Sequence, residues 1–436
     1  MEKLMIDAKK IADKVEVYSS EEVLDSISFE NSKLKDIDTK IQSGVSLRII
    51  KDGKLGFAYT KNLKNREELI QNAISSLKGG VETGFDFPFN EDSFELNTYD
   101  PAIESFSNGK IVDECKRVSN ALSSKTAGQI NLMALRKVHK IRIINSRDSN
   151  LTTKFSEYFF NAEVLYPGSY SSIGRSIISK KFQRMTDEDL DFILRIYNSS
   201  MEEVNIKTGR MKVLFLPEAM FVLIWRLLSA TSGKNIYEKK TPIIEKIGER
   251  IFDEKLEIYD DPLNDRMPYA RRFDDEGTPC KRLTIIEDGI LRNFYYNLYY
   301  ADKMGKVSTG NGYKTAMWGG EAVSIKPSPA LEHLYITPGG ESLSELITSI
   351  DRGVIIAGVL GAHSGNIPNG DFSIGLSPGI YVKNGKMEGR VKDVMIAGNI
   401  YRTMKNIVDI EDTLHPGMMG SFPAVLFDEV SVTTKD

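Results

Sequence analysis

An α+β fold with largely antiparallel sheets is predicted by three features of the sequence. Tight-turn pairs at Asp52-Gly53, Asp288-Gly289 and Asn384-Gly385 sit between alternating apolar runs, a strong short-range hairpin signal. Helical patterns are scattered among the strands instead of alternating with them one for one, which argues against a βαβ parallel sheet. The stretch Met211–Asn235, MKVLFLPEAMFVLIWRLLSATSGKN, reads as a buried strand feeding a helix that is apolar on nearly every side. Such a helix has to be covered by other elements. The expected layout is an N-terminal α+β domain over 1–205, its α/β modules carrying antiparallel strands, then a strand-rich, mainly antiparallel C-terminal domain over 206–436 built on a buried helix at 217–232.

The N-terminal elements follow from local patterning. Leu4, Ile6, Ala8, Ile11 and Ala12 give residues 1–14 an apolar helical stripe. Val15–Tyr18 is extended, and Ile27 and Phe29 alternate with polar neighbours as in a half-buried strand. Val45, Leu47 and Ile49, then Leu55, Phe57 and Tyr59, flank the Asp52-Gly53 turn. Asn65 with Glu68 opens a helix striped by Leu69, Ile70, Ala73, Ile74 and Leu77, and Gly79-Gly80 closes it. After a Gly-, Pro- and Asp-rich connector at 81–108 the plan recurs, with a helix at Ile111–Leu122 and extended runs from Ile130 to Tyr166. Modules at 1–80 and 105–200 are thus readable as a weak internal duplication, although many α+β units share this order. Thr186, followed by three acidic residues, starts a further helix through Tyr197.

In the second domain Pro217 suits the first helical position, because its φ is preset and its missing N–H is not needed there. Gly233 is the expected stop. Beyond it, hairpins are expected at 282–296 and 376–392, and short helices at 297–304, 342–350 and 399–407. A strand from Ala424 to Val432 should be tied into the second sheet.

Bulk numbers exclude several classes. The chain has 436 residues, 27% charged and 41% hydrophobic, within the range of globular proteins with their own cores. A net charge of -4 argues against a dedicated nucleic-acid binder. Two distant cysteines, Cys115 and Cys280, form no disulfide framework. The N-terminus lacks signal-peptide character and no apolar run approaches the roughly 20 residues a bilayer requires, so a cytoplasmic protein without membrane contact is expected.

Three further segments carry a resemblance. Residues 259–279, YDDPLNDRMPYARRFDDEGTP, the segment VSTGNG at 307–312, and GAHSGNIPNGDFSI at 361–374, with the strand–Pro–helix unit, resemble the TldD/PmbA (TldE) family over nearly the whole chain. The third is similar to the PmbA-type GxHSgNxxsGdFS loop, and is followed by IxNGk and AGN segments at 380–386 and 397–399. In TldD-type members the buried helix carries HExxxH, whose histidines bind zinc and whose glutamate is the general base. Those positions fall here on Trp225, Arg226 and Ala230. Trp and Ala offer no ligand, and Arg cannot accept a proton near neutral pH. The family's site also takes a cysteine near the C-terminus, and none follows Cys280.

The resemblance therefore implies a PmbA/TldE-like protein of a cytosolic metalloprotease system, without a cofactor of its own. Zinc is expected only in a TldD-like partner, the assembly is a heterodimer with that partner or a homodimer, and the substrate is an extended peptide processed in a shared cavity. One alternative is a self-sufficient hydrolase using a different site, around His363 and the acidic loop. Another, regulation of DNA gyrase, follows the family's older name and finds little support in the net charge.

Residues outside the lost motif leave two candidate sites. The loop containing His363, Ser364, Gly370, Asp371, Phe372 and Ser373 is a candidate substrate or partner loop. Its glycines permit close backbone approach, and Phe372 offers an apolar anchor for an added peptide strand. The alternative is a packed turn with Phe372 in the core. A Ser-His-Asp triad is disfavoured there, because neighbours on a loop do not face one another and no G-x-S-x-G elbow is present. The acidic run Asp274-Asp275-Glu276, with Asp260-Asp261, suits either a hard cation or, preferentially, bracing of loop N–H groups. Arg226 is expected to pair with a buried acid or to extend along its stem towards water.

Overall fold

This computed structural model describes residues 1–91, 94–315, 320–417 and 419–434. The first half runs α1 (Glu2–Lys9), β1 (Lys14–Glu30), β2 (Lys33–Lys51), β3 (Lys54–Thr60) and α2 (Arg66–Ser76). A connector with the short β4 (Val81–Glu82) and α3 (Ala102–Ser105) leads to α4 (Asn108–Ser123), β5 (Gln129–Asn145), β6 (Asn150–Leu165), β7 (Ser172–Ser179) and α5 (Asp187–Ser199). The strands form one antiparallel sheet in the order β4-β3-β2-β1-β5-β6-β7. At its centre β1 and β5 pair from Glu16↔Asn145 to Phe29↔Leu132.

Local chemistry explains most of these boundaries. Asp52 and Gly53 both have positive φ, as the two-residue turn between β2 and β3 requires. The Asn65 side chain accepts from the Glu68 N–H, and Thr186 with Asp189 forms a complete capping box. Two expectations need correction. The first helix stops at Lys9, since Lys14 already pairs with Ile50. The separate strands expected near Val15 and Ile27 are one 17-residue strand. Its polar middle continues because β2 and β5 satisfy the backbone on both sides, which outweighs weak strand propensity.

The second half begins with β8 (Glu203–Val204), β9 (Gly209–Phe215) and α6 (Pro217–Thr231). β9 lies inside a ten-stranded sheet, antiparallel to Val425–Thr434 on one side and parallel to Arg352–Ile356 on the other. A six-stranded sheet contains Ile258–Asp260, Leu283–Glu287 and Leu334–Ile336. The fold is thus α+β, as expected. Helix α6 touches strands of both sheets, and its residues belong to the largest apolar cluster of the molecule. A second cluster joins α4 and α5 to the far face of the ten-stranded sheet through Leu214, Ile355 and Leu426, so the two halves share core.

Gly233 does not stop α6 as a left-handed cap. It opens a short second helix, Gly233–Tyr237, after Ser232 turns the chain through an extended conformation. A Cβ there would lie 2.4 Å from the Tyr296 ring. The glycine serves close packing. Among the described residues, no helix is long and apolar enough to cross a membrane.

Candidate functional site

Where the N-terminal sheet meets α6, the two halves line an open cavity of about 720 Å³. The β1 wall presents Tyr18, Ser20 and Glu22, successive residues of one strand face. The paired strand β5 adds Lys137 and His139. From the other side come Trp225 and Ser229 of α6, one turn apart, with Arg271, Asp275, Lys314 and Glu332 from the loops beyond.

Buried charge organises this space. His139 Nε2 lies 2.8 Å from Ser20 Oγ, and burial, aided by the Arg271 and Lys137 cations, pushes its pKa down to about 3. Arg271 pairs with Asp275 at 3.0 Å. Lys314 Nζ donates to Ser46 Oγ at 2.8 Å.

The acidic run braces the fold beside this wall. Asp274 accepts from the N–H groups of Glu276, Thr278 and Gly312, and Asp275 from that of Lys314. Glu276 receives the Leu298 N–H and Arg48 Nη1, whose other donors hold Glu16 of β1. Arg48 thereby links the N-terminal sheet to the C-terminal loop. Asp260 likewise accepts the His333 N–H and the Asn311 amide. Among the described residues, no group of three or more His, Cys, Asp and Glu side chains is placed to hold a metal ion.

The three substituted motif positions diverge. Trp225 lines the cavity, whereas Ala230 is fully buried. Arg226 is fully buried too; contrary to the expectation from sequence, it neither pairs with an acid nor extends to water. It donates instead to four backbone carbonyls: Val222 on its own helix, and Ala362, Ser364 and Asp371 on the glycine-rich loop. Burial lowers its pKa to about 10, with Asp371 opposing. The site does not fit zinc: its three positions hold an indole, a hydrogen-bonded guanidinium and a methyl group.

That loop does not line the cavity. His363 is exposed, Ser364 is half-buried, and no described hydrogen bond joins either to the other or to the Asp371 side chain. Asp371 is held by Asn399 and Asn369. Phe372 lies in the core at 2% exposure, whereas Ser373 beside it is half-buried. Gly365 and Gly370 have positive φ, and a Cβ on Gly365 would lie 2.5 Å from the Asp371 carbonyl oxygen. Sequence reasoning missed the cavity residues Tyr18, His139, Arg271 and Lys314. The one available signal was the polar alternation Ser20, Glu22 and Lys137, His139 on strands otherwise fit for a core.

Comparison with known proteins agrees with this architecture. The PmbA/TldA metallopeptidase C-terminal domain matches residues 208–434, and domain 1 of the same metallopeptidases matches 15–77. The chain belongs to the PmbA/TldD metallopeptidase family. It is 26% identical to an uncharacterised protein of Methanocaldococcus jannaschii, over 98% of each chain. It is 24% identical to a metalloprotease PmbA homolog of Buchnera aphidicola, covering 98% of this chain and 94% of that one. Its fold matches TldE of Thermococcus kodakarensis with a TM-score of 0.90 at 22% identity, over 99% of both chains. A Thermotoga maritima protein described as a candidate modulator of a DNA gyrase matches with a TM-score of 0.86 at 25% identity, again over 99% of both.

Proposed function

We propose that this chain is the non-zinc subunit of a cytosolic TldD/TldE-type peptide-processing system. In this reading it supplies walls of a cavity in which an extended peptide is held, and a TldD-like partner supplies the zinc. The observation that carries the reading is the state of α6. The helix keeps its place between the sheets and beside a cavity, yet its motif positions hold Trp225, Arg226 and Ala230, and Arg226 is committed to the loop at 362–371. Membership of a metallopeptidase family supports the link to proteolysis.

Affinity purification from the native cell, with zinc analysis and peptidase assays, tests the proposal. The expected result is co-elution with a chain bearing HExxxH, with peptide cleavage by the assembled pair and none by this chain alone. Chelator-sensitive peptidase activity from the isolated chain would overturn it. Tight, steeply salt-dependent binding to DNA, without such a partner, would favour the gyrase reading instead.

A further inference from the structure

Lys314 is 3% exposed and lines the interdomain cavity. Its Nζ has Ser46 Oγ at 2.8 Å as a hydrogen-bond partner, and lies 4.3 Å from the centre of the Tyr18 ring and 5.4 Å from that of Phe57. The carboxylates that act on it are held by other groups: Glu16 and Glu276 clasp Arg48, and Asp275 pairs with Arg271 and accepts the Lys314 backbone N–H. Among the described residues no salt bridge involves Lys314.

An ammonium here is desolvated, has no counter-ion in contact and sits near the Arg48 cation. Desolvation and a neighbouring cation are the two conditions that turn a lysine into an amine nucleophile. Burial, then Arg48, pulls its pKa down to about 7, against the opposing pull of Glu16, Asp275 and Glu276. The cavity, at about 720 Å³, is of the size that takes small organic ligands. Tyr18, Phe155, Trp225 and Tyr295 give it aromatic walls.

We propose that Lys314 is a nucleophilic amine presented to this cavity, which takes an apolar or aromatic aldehyde or ketone as a covalent imine. The nitrogen lone pair adds to the carbonyl carbon, and a proton passes from nitrogen to oxygen to give a carbinolamine. Loss of that hydroxyl together with the remaining N–H proton, as water, leaves a C=N bond. No oxidant or reductant takes part, and water reverses the reaction. The site uses this chain's residues alone and stands whether or not a zinc partner exists.

The test treats the folded full-length chain with benzaldehyde and cyanoborohydride, which fixes imines as secondary amines, then maps adducts by peptide mass spectrometry. At pH 7, Lys314 should react at least about tenfold faster than the exposed lysines. Its rate should level off above neutrality while theirs keep rising. The fast adduct should vanish in Lys314→Arg, or in Lys314→Met should Arg disturb folding, and the slow adducts should persist. A Lys314 that reacts no faster than exposed lysines, or not at all, overturns the proposal.

Discussion

Arg226 Nη2 donates to the carbonyl oxygen of Ser364 at 2.8 Å, across 138 residues of sequence. With its bonds to Ala362 and Asp371, the guanidinium fastens the glycine-rich loop to the buried helix. Replacing it by Met keeps length but removes every donor. The Ala362 and Asp371 carbonyls then lose that donor, at about 1–3 kcal/mol for each one left buried and unsatisfied, while Ser364 keeps the Ser373 N–H. Arg226→Met should therefore lower unfolding free energy by several kcal/mol, measured in urea. Amide exchange should quicken around Ser364 and Gly365. Unchanged exchange there would show that the loop is held by something else.

Restoring the metal motif should fail for the same reason. In Trp225→His, Arg226→Glu, Ala230→His the new carboxylate faces carbonyl oxygens where the guanidinium stood, and like partial charges repel. We expect lower stability and no stoichiometric zinc after mild chelation, read by elemental analysis. One tightly held zinc per chain would sink this prediction.

Phe372 and its loop neighbours should separate cleanly. Phe372→Ala removes a core ring packed 5.8 Å from the Arg226 guanidinium and should cost about 3–5 kcal/mol. His363→Ala and Ser364→Ala should leave the melting temperature nearly unchanged. If the loop grips substrate, both should weaken peptide processing by the assembled complex. Intact processing would remove the loop from the functional surface.

Acid should weaken the fold through its neutral histidines. Burial pushes His139 and His333 down to about 3. Unfolded histidine takes a proton near pH 6.5, and the folded protein refuses it until about pH 3. Stability from these groups is therefore complete above pH 6.5 and is lost progressively as pH falls towards 3. His139→Gln should narrow the stability difference between pH 7 and pH 4 by on the order of 2–3 kcal/mol. Parallel curves for both proteins would refute the assignment.

Removing residues 422–436 should abolish cooperative folding, because Val425–Thr434 pairs with both Val394–Asn399 and β9 inside the large sheet. A soluble truncated chain that melts cooperatively would contradict this.

Features set by nearby residues were legible in the sequence. The hairpins at Asp52-Gly53, Asp288-Gly289 and Asn384-Gly385 and the buried helix after Pro217 all rest on residues within one turn or one pair of strands. Arg226 was misread because its partners are backbone carbonyls, which carry no residue type and leave no pattern to find. The cavity was illegible for a different reason. His139, Arg271 and Lys314 come from three distant segments, and each alone resembles an ordinary surface residue. The polar middle of β1 looked like a break between strands because its role depends on a wall facing it.

The position of β9 also sets a timetable for synthesis. Its antiparallel partner at 425–432 emerges about 210 residues later, roughly 10–40 seconds at ribosomal speeds of about 5–20 residues per second. Throughout that interval α6 is complete but its sheet is not, leaving Met220, Leu223 and Leu227 without their final cover. The N-terminal sheet, whose strands are all made by Ser179, has no such wait. The nascent C-terminal half therefore keeps apolar helix surface exposed until its last strand has been made.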